Sequence, residues 1–83
     1  MKTRLQLLEE HIDAINYELV GAEIRLTLAD SLRLRLVKPE DSNMLAAIEE
    51  GRAKTIFDMQ KSESALRIVN RMIEEEKKKE KAV

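Results

Sequence analysis

Ile24 to Val37 reads IRLTLADSLRLRLV. Apolar and polar residues alternate on both sides of a short break at Ala29-Asp30-Ser31. Ile24, Leu26 and Leu28 take one phase, as do Leu32, Leu34 and Leu36; Arg25, Thr27, Arg33 and Arg35 take the other. A period of two lets a ribbon bury one face and leave the other in water. The stretch therefore predicts a β-hairpin with arginines on its outer face. Asp30 and Ser31 supply turn residues, although neither Asn-Gly nor Asp-Gly is present.

The flanks extend this reading. Leu5 and Leu7 alternate with Arg4 and Gln6, which suits a short first strand; a helix start competes, because Leu, Gln and Arg are good helix formers. Leu8, Ile12, Ile15 and Leu19 lie three or four apart, on one helix face. Gly21 suits the position just past a helix end. Pro39 lacks a backbone N–H and pushes Lys38 toward an extended conformation, which ends the ribbon. Asp41 or Ser42 can then cap a helix. From Ser42 to about Lys79 there is no proline and one glycine, Gly51. Leu45, Ile48, Ile56, Met59, Leu66, Val69 and Ile73 largely keep a three-to-four rhythm along this long helix. A break at Ser62 is the other option. Glu74–Lys78 and Glu75–Lys79 are spaced to pair on a charged helical tail over residues 74–83.

The expected order is strand, helix, strand, strand, long helix. It predicts a two-layer α+β domain, β-α-β-β-α, spanning residues 1–83. Both helices lie on one face of a small antiparallel sheet. The second helix would run roughly 55 Å, longer than three strands can cover, so part of its apolar stripe is expected to meet another chain. Leu45, Ile48, Ile56, Met59, Leu66, Val69 and Ile73 are the candidate partner interface.

Composition narrows the function classes. The 83 residues contain no cysteine, which removes disulfides and thiolate metal sites. Fifteen basic residues face sixteen acidic ones, so global charge does not point to nucleic acid. No apolar leader or spanning segment is visible, and a cytoplasmic location with no membrane partner is expected. His11 is the single histidine and reads as a polar-face helix residue. With only Gly21 and Gly51, no phosphate-cradling loop can form. No cofactor, metal or catalytic residue is expected. Arg25, Arg33 and Arg35 offer a surface for phosphate or partner contact, against the plain alternative of a solvated sheet face. Lys77, Lys78 and Lys79 form a basic end that the neighbouring glutamates offset; they are the other candidate RNA contacts. No aromatic interleaves with the arginines, so base stacking is not expected.

The chain resembles the small Pcc subunit of the KEOPS complex, a family that includes the LAGE and CTAG antigens. The residues that carry the resemblance are Asp30-Ser31-Leu32-Arg33-Leu34-Arg35-Leu36-Val37-Lys38-Pro39-Glu40-Asp41, followed by Met44-Leu45-Ala46-Ala47-Ile48. Leu8-Glu9-Glu10-His11-Ile12-Asp13-Ala14-Ile15 stands where the family has its first helix. The family's Leu-x-Pro-Asp/Glu loop is replaced by Val20-Gly21-Ala22-Glu23, which suits a divergent archaeal paralogue. The resemblance implies a non-catalytic subunit in tRNA threonylcarbamoyladenosine modification. Such a subunit dimerises with a Pcc-like paralogue, docks on the catalytic Kae subunit and assists tRNA binding.

Two other readings remain open. One is an all-helical hairpin interaction protein, similar to small type III secretion chaperones. It would run unbroken from Lys2 to Val37 and turn at Lys38-Pro39, with Leu5, Leu8, Ile12, Ile15, Leu19, Ala22, Leu26 and Ala29 in heptad spacing. The other is a degenerate helical chorismate mutase, echoed by LLEEHIDAINYELV ending at Val20; Glu9 stands where that active site needs an arginine. The opening strand and helix of acetyltransferases are echoed by Leu32 to Ile48, but no acyl-CoA phosphate loop follows.

Overall fold

The computed structural model describes residues 1–81; Ala82 and Val83, the end of the expected charged tail, lie outside the described residues. Two helices account for nearly all of the described chain. Helix α1 spans Arg4–Arg35 and helix α2 spans Ser42–Lys81, joined through the short 3₁₀ turn Pro39–Asp41. They pack against each other as a hairpin measuring 67 × 19 × 16 Å.

Helix α1 starts where the first strand was expected. Thr3 caps it: the Gln6 N–H donates to Thr3 Oγ1 at 3.1 Å, and the Thr3 N–H donates to Gln6 Oε1 at 2.9 Å. This reciprocal box satisfies donors that a helix start otherwise leaves open. The helix runs straight through Gly21, whose backbone does not enter the left-handed region. It ends at Leu36, just before the proline. The Lys38 N–H then donates to Asp41 Oδ2 at 3.2 Å, and the Asp41 N–H donates to the Lys38 carbonyl at 3.0 Å. Pro39 needs no donor at the first position of that turn. Helix α2 follows as expected from Ser42, continues through Gly51 and shows no break at Ser62.

The expected α+β fold is not formed: the described residues contain no strand and no sheet. The reason lies in the geometry of Ile24–Val37. Residues two apart on a helix are separated by about 200°, close to the 180° of a strand. A helix that is apolar on two opposite sides therefore writes the same alternation as a ribbon. Leu26 is half-buried against α2, whereas Ile24 and Leu28 point outward and are exposed. The residue types agree with the helix. Leu and Arg dominate the stretch, and the β-branched and aromatic residues that favour strands are few. Thr27 sends its hydroxyl back to the Glu23 carbonyl at 2.9 Å, the usual refuge of a threonine inside a helix.

The rival heptad is the one that packs. Leu5, Leu8, Ile12, Ile15, Leu19, Ala22, Leu26 and Ala29 are all buried or half-buried. Facing them, α2 presents Leu45, Ile48, Arg52, Thr55, Met59, Ser62, Leu66, Val69, Ile73 and Glu76, again spaced by threes and fours. The densest core is at the open end. Ile15, Val69 and Ile73 are buried there, with Leu5, Leu8, Ile12, Leu19, Ala65 and Leu66 packed around them. Ala22 and Thr55 are the buried residues nearer the turn, and both are small. Ion pairs bridge the two helices at both ends. Arg4 Nε lies 3.3 Å from Glu76 Oε2 at the open end. Near the turn, Arg33 Nε lies 2.8 Å from Glu49 Oε1, and Arg52 Nε lies 3.1 Å from Asp30 Oδ1. Glu74–Lys78 and Glu75–Lys79 are not among the ion pairs of the described residues.

Candidate functional site: the outer face of helix α1

Residues expected to act together are separated by this fold. The ribbon that would have gathered Arg25, Arg33 and Arg35 does not exist. At about 100° per residue the three span about 160° of α1, with Arg25 some 80° from each of the others. Arg33 is held by Glu49 and Asp30, at 2.8 and 3.7 Å. Arg25 lies along the cleft between the helices. Arg35 is exposed at the turn end. Lys77, Lys78 and Lys79 are exposed at the open end, at the far extreme of a 67 Å rod. No single surface therefore unites the arginines with the lysines.

The expected partner interface also has another role. Val69 and Ile73 are buried and Leu66 is packed against α1 in the hairpin core. Leu45, Ile48, Ile56 and Met59 are half-buried. All but Ile56, which lies one position off the seam, face α1 and close the hairpin.

The free apolar face is on the other helix. Tyr17, Val20, Ile24, Leu28 and Leu32 are 83%, 54%, 55%, 59% and 48% exposed. Their spacing places them within about 120° on one side of α1, directly opposite the packed heptad. Sequence reasoning missed this stripe because it assigned Ile24 and Leu28 to the inside of a ribbon. The signal was present in the three- and four-residue spacing of Tyr17, Val20, Ile24, Leu28 and Leu32; the same face also carries a second heptad series, positions 10, 14, 17, 21, 24, 28, 31 and 35, in alternating fours and threes. Other exposed apolar residues do not form a stripe. Phe57 is covered in part by Lys61, whose Nζ sits 5.4 Å from the ring centre. Ile68 lies three turns further along α2.

A cleft of about 600 Å³ runs beside the stripe, between the helices. Its floor is shaped by small residues: Ala14, Gly21, Ala22, Ser62 and Ala65. His11, Glu18, Arg25, Asp58 and Lys61 give its walls mixed charge, and Tyr17 stands at its edge. The described residues hold no cluster of His, Asp or Glu arranged to bind a metal ion. Among the described residues, no helix is long and apolar enough to cross a membrane. Comparison with protein-family models, curated proteins and solved structures found no match to this chain.

Proposed function

We propose that this chain is a helical-hairpin interaction protein that works by docking the outer face of α1 onto another polypeptide. The observation that carries the reading is the stripe of Tyr17, Val20, Ile24, Leu28 and Leu32, each about half exposed or more. Isolated surface apolar residues need no explanation, but a contiguous line of five on one helix face does. Helix-in-groove and helix-on-helix recognition both read such a face through residues three and four apart. A tRNA-modification role as a Pcc-type subunit has less support. The residues that carried that resemblance, Asp30 to Asp41, form the end of α1 and the turn.

Affinity capture with the native chain and with a Leu28→Glu variant tests the proposal. Leu28 is exposed, so the variant keeps its helices, as circular dichroism would verify. A polypeptide, this chain's own copy included, should be captured by the native form and lost with the variant. Identical captured sets would refute the reading.

A further inference from the structure

The outer face of α1 fits one occupant on the chemistry it displays, and that occupant is another α1. Turned antiparallel about a two-fold axis between Ala22 and Glu23, the second heptad series matches itself. Glu10 then lies level with Arg35 of the other copy, Ala14 with Ser31, Tyr17 with Leu28, and Gly21 with Ile24. Each seam position meets a seam position, as antiparallel helix packing requires. Ile24 meets Gly21, Tyr17 meets Leu28, and a carboxylate meets a guanidinium at both ends. On one flank, Glu18 comes within about 3 Å along the axis of Arg25 from the other copy. A parallel pairing would instead set Glu10 on Glu10, Arg35 on Arg35 and Gly21 on Gly21. We infer that two copies of this chain associate through α1 in this antiparallel register, giving a four-helix assembly with the two α1 helices at its centre.

Three further observations agree. Gly21 has open space above it: an added Cβ would meet only the Arg25 guanidinium, at 3.6 Å. That space admits the Ile24 side chain of the second copy. Arg35 has no ion-pair partner among the described residues, and Glu10 pairs only with Lys2, both being half exposed or more. The chain is also rich in surface for its mass. The chain exposes 6779 Å², whereas a compact monomer of its mass exposes about 5,100 Å². The surplus of roughly 1,700 Å² is spread along the rod, which leaves more surface open to a partner than a compact fold would.

This inference rests on the proposed docking face and names its occupant. The test is the mass of the full chain in solution, by light scattering and sedimentation equilibrium. At about 100 µM the native chain should approach twice its 9.6 kDa, with a Kd in the micromolar range or below. Ile24→Glu should raise Kd by about 100-fold or more while helix content is kept, because the carboxylate would be enclosed without a partner. Glu10→Arg and Arg35→Glu should each weaken pairing about tenfold, and the double variant should restore it. The chain has no native cysteine, so cross-linking is clean. A mixture of Tyr17→Cys and Leu28→Cys chains should form a disulfide-linked dimer, and neither alone should. A 9.6 kDa monomer at this concentration, a dimer unmoved by Ile24→Glu, or self-linking of Tyr17→Cys alone would overturn the inference. A monomer whose outer face still captures a different polypeptide would overturn self-pairing and leave the docking reading standing. A monomer whose captured set ignores Leu28→Glu would remove both.

Discussion

Ile15→Ala and Ile24→Ala change the same residue type on the same helix, nine positions apart, and should behave very differently. Ile15 is 5% exposed in the core with Val69 and Ile73, whereas Ile24 is 55% exposed. Truncating Ile15 removes three buried carbons, about 2.4 kcal/mol at ~0.8 per methylene. The cavity left behind brings the total to about 3 kcal/mol, inside the usual 2–5 range. A chain of this length has about 4–12 kcal/mol of stability, and a rod with few fully buried side chains belongs at the low end. Ile15→Ala should therefore lower Tm by roughly 12–24 °C. Ile24→Ala in the dilute, unpaired chain should change stability by less than about 0.5 kcal/mol, since surface replacements are near neutral and alanine is the better helix former. Urea titrations followed by helical circular dichroism measure both. Equal losses at every protein concentration would mean that α1 is rotated from the orientation described, and the two-faced helix would be wrong. A loss at Ile24 that appears only as concentration rises is the expected signature of pairing.

Gly51→Ala should stabilise the chain by about 0.5–1 kcal/mol, because nothing lies within 4 Å of the added methyl. Gly21→Ala should give a similar gain in dilute solution yet weaken self-association, because its methyl enters the space reserved for Ile24 of the second copy; thermal melts across a concentration series separate the two effects. Thr3→Ala should cost about 1 kcal/mol through loss of the capping box, read as a lower urea midpoint with the slope unchanged. Hydrogen exchange should show the amides between Tyr17 and Leu32 gaining protection as concentration rises, while those around Ile73 change less.

Much of the hairpin can be read from residues alone. Pro39 marks the reversal because it cannot continue the ladder and disfavours helix at Lys38. The heptad from Leu5 to Ala29 gives the packed face of α1, and Thr3 with Gln6 marks its start. The obstacle was Ile24 to Val37. An apolar helix face on each side cancels the directional signal that ordinarily identifies an amphipathic helix. What survives is a near-period-two alternation that a strand explains equally well. The discriminating evidence was the choice of side chains: leucines and arginines where a ribbon would favour valine, isoleucine or tyrosine. The candidate site was hidden for the same reason. Assigning Ile24 and Leu28 to a buried sheet face removed them from the surface. The apolar residues of α2 were then left as the apparent interface, although all but Ile56 close the hairpin.

The two apolar faces of α1 are complementary along its length. Inside the hairpin, the large buried side chains collect at the open end, with Ile15, Val69 and Ile73. Toward the turn the same seam mixes half-buried Leu26, Leu45 and Ile48 with Ala22, Ala29, Thr55 and Arg52, which are small or polar. Hydrophobic stabilisation scales with apolar area removed from water, so that half of the hairpin holds the weaker core. Ion pairs at Arg33–Glu49 and Arg52–Asp30 bridge the helices there, but exposed pairs contribute at most about 1 kcal/mol each. The outer stripe is richest over that same half, from Tyr17 to Leu32. A second α1 laid along it would bury large side chains over the half where the inner seam leaves its own large side chains only half-buried. Pairing would then couple association to ordering of the turn half, and concentration would act on that half before it acts on the open end.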